Sequence, residues 1–313
     1  MALEMAAAPT RPLRIEVSGL KGSIVTTRSP WQNTTMPFVE LNSLRFYYES
    51  RGAGPRLLLF NGSGGDLRNK PGVLDSPLIQ HFETICHDQR GLGQTDRPDI
   101  SYSMADYADD AAALLDALEW NTCRVMGVSF GGMVAQEFAI RHPERIERMV
   151  LACTSSGGAG GASYPLHELT RLTPKERSLR SLELADTRMN SDWRKENPKA
   201  FQRTLASMAS SRSAGADEEG REIGAARQME ARLGHDTWER LPEIKTPVLC
   251  CGGLYDAIAP PENMQRLAEK LPNARLEFFE GGHLFLLQDP KAWGQIIDFL
   301  EARTDVDREE SQE

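Results

Sequence analysis

Several features that would assign this chain to a class at once are missing from its sequence. It has no run of about 20 apolar residues, the length that a membrane-spanning helix needs. The N-terminus lacks a basic start followed by a long apolar stretch, so we expect no signal peptide. The cysteines number five, an odd count, and none forms the CxxC pair of a zinc or redox site. We therefore expect a cytoplasmic protein with no membrane contact and with buried, reduced thiols.

The sequence also contains fewer positively than negatively charged residues. The 36 Lys and Arg residues are outnumbered by 45 Asp and Glu residues, which gives a net charge of -9. An acidic chain is a poor partner for nucleic acid or for an anionic membrane, so we expect a small-molecule substrate, neutral or weakly charged. The sequence leaves the oligomeric state open, a homodimer included.

What the sequence does contain is a regular alternation of strand and helix patterns. The apolar content is 40% of 313 residues, enough for one large packed domain. Short apolar runs bounded by Gly, Asp or Pro are typical of strands buried on both faces of a parallel sheet. They read PFVEL, LRFYYES, RLLLFNG, FETICHD, CRVMGVS, RMVLACTS, TPVLCCGG and ARLEFFEGG. Helical patterns between them, the first with Ser103 as N-cap, predict a doubly wound α/β sheet. The first two strands are predicted to form an antiparallel edge hairpin.

The strand runs stop in the middle of the chain. Residues 157–241 are charged and helical in character, and linker-like segments (GGAGGASYP and LPEIKTP) flank them. We therefore predict a helical cap over 157–241, inserted into a core made of 37–156 and 242–304. Residues 1–36 are predicted to form an N-terminal arm, and residues 305–313 a C-terminal tail.

A glycine-rich turn, FNGSGGDLR, follows the third apolar run. It lacks the GxxxxGK[ST] spacing of a P-loop, because the first downstream lysine is Lys70. It also lacks the GxGxxG spacing of a dinucleotide site, because Gly62 and Gly64 fit but position 67 is Leu. The remaining interpretation is a loop that brings backbone N–H groups close to a reacting carbonyl.

A nucleophile, a base and an acid occur in one order along the chain. Ser129 lies in GVSFGG, between an apolar run and an amphipathic helix, which is the context that a GxSxG nucleophile requires. His283 and Asp256 each follow a later strand run. A serine nucleophile needs a base and an orienting carboxylate, and the order Ser, Asp, His supplies both. The sequence therefore predicts a catalytic triad of Ser129, His283 and Asp256.

Together these segments resemble the α/β-hydrolase superfamily. The resemblance is carried by FNGSGGD, HDQRGLGQTDRP, GVSFGG, GGLYDAIAP and EGGHLFLLQDP, which span the core from about Pro37 to Arg303. It implies an eight-stranded, mostly parallel sheet with helices on both faces, and no metal or organic cofactor. Epoxide hydrolases and haloalkane dehalogenases are similar too, but they carry Asp at the nucleophile position, and Ser129 argues against both.

The resemblance also implies an oxyanion hole made by the backbone N–H groups of Ser63 and Phe130. Relatives usually have His-Gly after the third strand, whereas this chain has Asn61-Gly62. We expect Asn61 to hold the loop by side-chain hydrogen bonds, with Gly62 and Gly64 supporting its shape.

The spread of motifs is similar to that of enol-lactonase and proline-iminopeptidase relatives. The expected activity is hydrolysis of a small-molecule carboxylic ester or lactone. C–C bond hydrolysis and amide or aminopeptidase-type hydrolysis use the same triad and stay open, as does a non-enzymatic ligand receptor.

Overall fold

The computed structural model describes residues 37–210 and 214–302. The predicted N-terminal arm (1–36) and C-terminal tail (305–313) lie outside the described residues. In the described chain no helix is both long and apolar enough to cross a membrane.

The described part of the core is built on one sheet of eight strands. The strands are β1 (Phe38–Leu41), β2 (Leu44–Arg51), β3 (Arg56–Phe60), β4 (Glu83–His87), β5 (Cys123–Val128), β6 (Ile146–Ala152), β7 (Val248–Gly253) and β8 (Ala274–Phe279). Their order across the sheet is β1-β2-β4-β3-β5-β6-β7-β8. β2 is antiparallel to both of its neighbours, and the other adjacent pairs are parallel. The mostly parallel sheet and its antiparallel edge hairpin are confirmed.

Helices connect the strands and cover the sheet. They are α1 (Met104–Ala117), α2 (Phe130–Arg141), α3 (Pro174–Ala185), α4 (Ser191–Glu196), α5 (Pro198–Ser210), α6 (Arg221–Leu233), α7 (Pro261–Lys270), α8 (Phe285–Gln288) and α9 (Lys291–Glu301). The four helices α3 to α6 lie between β6 and β7, so a helical insert occupies the segment predicted as a cap. The α1 helix begins after the predicted N-cap, since the Ser103 hydroxyl accepts a hydrogen bond from the Asp106 N–H at 3.2 Å.

The core has an apolar layer on each face of the sheet. Along β3, Leu58 and Phe60 belong to one buried cluster and Leu57 and Leu59 to the other. These four side chains are at most 1% exposed. Burying each of them contributes roughly 1.5–3 kcal/mol of transfer free energy. The continuous apolar run of this strand is therefore explained by burial on both faces of the sheet. The loop that follows the strand carries part of the candidate site. All five cysteines are buried and free, as predicted.

Candidate active site

Ser129 occupies a sharp turn between β5 and α2. Its backbone has φ 56° and ψ -116°, a conformation that non-glycine residues rarely adopt and that stores strain. Glycines allow the close approach of strand and helix around it. A methyl group on Gly127 would lie 2.3 Å from the Gly131 carbonyl oxygen, and one on Gly131 would lie 2.2 Å from the Phe60 carbonyl oxygen. The spacing of the GxSxG motif therefore has a steric cause in this fold.

The three side chains predicted as a triad lie together in a hydrogen-bonded chain. His283 Nε2 lies 2.9 Å from the Ser129 hydroxyl, and His283 Nδ1 lies 2.7 Å from Asp256 Oδ2. The other oxygen of Asp256 accepts the N–H groups of Ile258 at 2.7 Å and Ala259 at 3.0 Å. Because a carboxylate only accepts, the Nδ1 atom carries the ring proton and Nε2 is available to accept the serine proton. The geometry is that of a serine nucleophile with an oriented base.

The triad is largely shielded from solvent. The Asp256 side chain is 1% exposed and the His283 side chain is 12% exposed. A buried carboxylate that is held by two backbone N–H groups and one imidazole keeps that imidazole in a single orientation. The arrangement can therefore transfer a proton between the serine hydroxyl and a bound substrate.

The glycine loop after β3 lies beside the nucleophile, as the sequence predicted. A methyl group on Gly62 would come within 3.7 Å of Ser129 Cβ. Phe130 is the first residue of α2, so its N–H has no acceptor within the helix. Within the described ranges, the N–H of Ser63 forms no hydrogen bond. Both predicted donors are therefore free to bind an oxygen of a ligand.

Asn61 supports this loop by side-chain hydrogen bonding, as expected. Its Oδ1 atom accepts the Gly62 N–H at 2.9 Å, and its backbone oxygen accepts Gln89 Nε2 at 2.8 Å. Gly64 has φ 69°, in the left-handed region that favours glycine. Sequence reasoning missed Gly65, on which a methyl group would lie 2.7 Å from Asn61 Nδ2. The Asn61 side chain thus occupies space that only a glycine at position 65 leaves open.

The insert makes direct hydrogen bonds to the loops that carry the base and the acid. The His283 N–H donates to the Ala185 carbonyl at 2.6 Å, and the Ala257 N–H donates to the Leu184 carbonyl at 3.0 Å. Both acceptors lie in the last turn of α3. The end of this helix therefore links the loop of His283 to the loop of Asp256.

A buried polar network continues from this helix to the base. Asp186 is 2% exposed, and its Oδ2 atom accepts Gln288 Nε2 at 2.9 Å. The Oε1 atom of Gln288 accepts the N–H of Gly282, the residue before His283, at 2.8 Å. Arg188 forms an ion pair with the same Asp186 carboxylate at 2.8 Å. The network fixes the backbone from which the base projects.

Sequence reasoning missed this network, although a signal for it exists. Asp186 and Arg188 are two residues apart, and the same Asp-x-Arg spacing occurs in the glycine loop at Asp66 and Arg68. In both pairs the Asp accepts the N–H and the guanidinium of the Arg. The repeated spacing could have indicated a second rigid loop.

One further side chain lies against the acid and the base. The Cys153 thiol is within 4.8 Å of the ligand atoms of Asp256 and His283, which makes the group a candidate metal cluster. Burial raises the pKa of the Cys153 thiol well above its usual range, so the thiol stays protonated. Metals bind the thiolate, so this thiol is a poor ligand. The hydrogen-bonded triad is the better account of these residues.

Comparison with known proteins agrees with the fold. Residues 55–290 match a family model described as alpha/beta hydrolase fold. A poly(3-hydroxyalkanoate) depolymerase of Ectopseudomonas oleovorans is 32% identical over 247 residues, covering 77% of this chain and 82% of that protein. A 2-hydroxymuconate semialdehyde hydrolase of Pseudomonas putida is 28% identical over 279 residues, covering 82% of this chain and 90% of that protein.

A solved structure shows the same fold. The enol-lactonase from Burkholderia xenovorans LB400 superimposes with a TM-score of 0.70 at 23% sequence identity. The match covers 85% of this chain and 100% of that chain.

Proposed function

The chain belongs to the α/β-hydrolase fold family, and from that premise we propose that it is a serine hydrolase acting on a small-molecule carboxylic ester or lactone. The observation that carries this proposal is the hydrogen-bonded chain from Ser129 through His283 to Asp256. Relatives with the names depolymerase, semialdehyde hydrolase and enol-lactonase support hydrolysis as the reaction type.

The first half of the proposed reaction forms an acyl-enzyme. The Ser129 oxygen attacks the carbonyl carbon while His283 Nε2 takes the hydroxyl proton, and Asp256 stabilises the resulting imidazolium. The carbonyl oxygen becomes an oxyanion, which the N–H groups of Ser63 and Phe130 bind. Loss of one such donor typically costs about 10²–10³ in rate. Collapse of the tetrahedral intermediate breaks the C–O bond, and His283 gives its proton to the leaving alcohol.

The second half returns the enzyme to its starting state. Water attacks the acyl carbon, His283 takes a proton from that water, and the second tetrahedral intermediate releases a carboxylic acid. The proton returns from His283 to the Ser129 oxygen. With a lactone the leaving alcohol stays attached to the acyl group, so the product is a hydroxy acid.

C–C bond hydrolysis is the second candidate, because a 2-hydroxymuconate semialdehyde hydrolase is similar over 82% of this chain. C–C bond hydrolysis needs the same triad but has a different leaving group. The proton goes to a carbon atom, whereas in ester hydrolysis it goes to the oxygen of the leaving alcohol. Turnover of a dienoic ring-fission product measured beside turnover of simple esters separates the two.

The test of the proposed function is covalent labelling combined with steady-state kinetics. Wild type should react with a fluorophosphonate probe and hydrolyse p-nitrophenyl acetate. The Ser129→Ala variant should lose labelling, and His283→Ala should lose activity by about 10⁴–10⁶-fold while staying folded. Ser178→Ala, at an exposed serine on α3, is the matched control and should behave as wild type. Equal labelling of wild type and Ser129→Ala would refute the assignment of the nucleophile.

A further inference from the structure

In the described part of the chain, Arg232 on α6 is a buried cation without an ion-pair partner. Its exposure is 7%, and its Nε and Nη2 atoms are buried without a hydrogen-bond partner among the described residues. Burial lowers the pKa of Arg232 to about 10, so the guanidinium stays charged at neutral pH. A buried charge costs several kcal/mol unless it is paired. Arg232 at this position therefore destabilises the folded state, and its presence needs an explanation other than stability.

The chain pairs a comparably buried arginine in full. Arg90 is 5% exposed, and its Nε and Nη2 atoms donate to the two oxygens of Asp110 at 2.6 and 2.7 Å. Nε and Nη2 form the edge of a guanidinium that matches both oxygens of one carboxylate. In Arg232 the same two atoms have no acceptor within residues 37–210 and 214–302. The missing partner thus has the shape of a carboxylate.

The helix that carries Arg232 packs its buried face on the core. Gly224, Gln228 and Arg232 follow one another at intervals of four, so they share one face of α6. A methyl group on Gly224 would lie 1.8 Å from the Gly91 carbonyl oxygen. One turn later, Gln228 Oε1 accepts the N–H of Gly64 in the glycine loop at 2.8 Å. This face of α6 therefore meets the loop that flanks the nucleophile.

The course of α6 places Arg232 above the strand that ends at Ser129. Gln228 contacts the loop after β3, and His235 Nε2, just past the helix, donates to the Ser155 carbonyl after β6 at 3.0 Å. β5 lies between β3 and β6 in the sheet, and Ser129 follows it directly. Arg232 falls between these two anchors. Arg232 therefore lies on the stretch of α6 between the loop that follows β3 and the strand end that follows β6.

Two neighbouring side chains also have unmet polar atoms. Gln228 is 1% exposed, and its Nε2 atom has no acceptor in the described part of the chain. The buried Ser63 hydroxyl in the glycine loop has no partner there either. An amide and a hydroxyl can donate to the same anion as a guanidinium. Arg232, Gln228 and Ser63 thus each have a buried donor without an acceptor among the described residues.

We propose that Arg232, assisted by Gln228, binds a carboxylate of the substrate, so that the ester or lactone hydrolysed here is a derivative of an acid with a second, free carboxylate. The reaction rests on the proposed function, whereas the binding of the carboxylate does not. The expectation of a neutral or weakly charged substrate becomes that of a monoanion.

The kinetic test compares substrates that differ in one charge. Monomethyl and dimethyl esters of the linear diacids from succinate to suberate are hydrolysed by wild type, Arg232→Met and Arg232→Lys. Wild type should prefer the half-ester of at least one chain length. Arg232→Met should lower kcat/KM for that half-ester by about 10- to 100-fold and leave the diester within about threefold. Arg232→Lys should recover part of the loss, because lysine keeps the charge and loses the fork.

A binding test is independent of catalysis. In the Ser129→Ala background, the free diacid should raise the Tm in a concentration-dependent way, and Arg232→Met should abolish that shift. Without ligand, Arg232→Met should melt no lower than wild type, because the variant removes an unpaired buried charge. A structural role for Arg232 predicts a lower Tm.

The control is Arg227→Gln on the same helix, where the arginine pairs with Asp99 at 2.8 Å on the surface. Arg227→Gln should change neither the preference for the half-ester over the diester nor the Tm shift that the diacid causes. The proposal is overturned if no half-ester is preferred over its diester, or if Arg232→Met and Arg227→Gln behave alike. If Ser129→Ala still hydrolyses esters but diacid binding needs Arg232, the nucleophile is wrong and the carboxylate site stands.

Discussion

Gly131 is the position where a single methyl group should damage both the fold and the chemistry. It lies in the first turn of α2, and a methyl group there would meet the carbonyl oxygens of Phe60 at 2.2 Å and Asn61 at 2.7 Å. Carbon–oxygen contacts of this kind are normally about 3.3 Å or longer. Gly131→Ala must therefore separate α2 from the end of β3 by roughly 1 Å.

The size of the effect follows from that displacement. Overpacking costs about 1–3 kcal/mol, and replacing a helical glycine returns at most about 1 kcal/mol. The free energy of unfolding should fall by about 1–2 kcal/mol. The same movement shifts the Phe130 N–H on α2 relative to the Ser63 N–H on the loop. A misplacement of about 1 Å in an active site typically costs about 10²-fold, so kcat/KM should fall by about that factor.

Urea unfolding and ester hydrolysis together test this prediction. The matched control is Gly294→Ala in α9, where a methyl group meets no atom within 4 Å. That variant should gain roughly 0.5–1 kcal/mol of stability, as an alanine in an open helix position does, and keep wild-type activity. If Gly131→Ala unfolds and reacts like Gly294→Ala, the close approach of helix and strand is not what the motif requires.

Three further changes test two supports of the candidate site and the buried His87. Asn61→Ala leaves the Gly62 N–H without its acceptor and should lower kcat by about 10- to 100-fold with little change in KM. Gln288→Leu unpairs the Gly282 N–H and should cost about 1–3 kcal/mol of stability and about tenfold in kcat. Burial lowers the pKa of His87 to about 4, so the unfolded chain takes up this proton first and stability falls as pH drops below 6.5. Between pH 7.5 and 5, His87→Leu should therefore lose about 2 kcal/mol less than wild type.

Each of these predictions has an outcome that contradicts it. An unchanged kcat in Asn61→Ala would mean that the loop keeps its shape without the side chain. Gln265→Leu, at an exposed glutamine on α7, is the control for Gln288→Leu. Equal effects of the two variants would mean that the Gln288 network does not hold the backbone before His283. For His87, urea unfolding at both pH values decides. Parallel losses in wild type and variant would mean that the histidine is not held neutral.

Much of the candidate site could be predicted from the sequence because the proposed chemistry constrains short stretches. Ser129 needs glycines on both sides, and the base and the acid must follow strands to meet it at one sheet edge. The insert has no such local constraint. Arg227 and Arg232 are the same residue type on one helix, yet the first pairs on the surface and the second is buried. Which arginine is buried depends on how α6 packs against Gly91. In the sequence, Gly224 within a helical pattern was the available sign of this close contact.

Helices α3 and α6 of the insert also contact the loops of the candidate active site directly. Three backbone N–H groups at the site donate to the insert: His283 to Ala185, Ala257 to Leu184, and Gly64 to Gln228. They belong to the loops of the base, the acid and the oxyanion hole. Moving the whole insert away would leave all three without their partners, and a lost partner at a buried group costs about 1–3 kcal/mol. If the proposed function is correct, substrate should therefore enter by a local movement that keeps α3 and α6 in place, because these helices hold the glycine loop and the loops of His283 and Asp256.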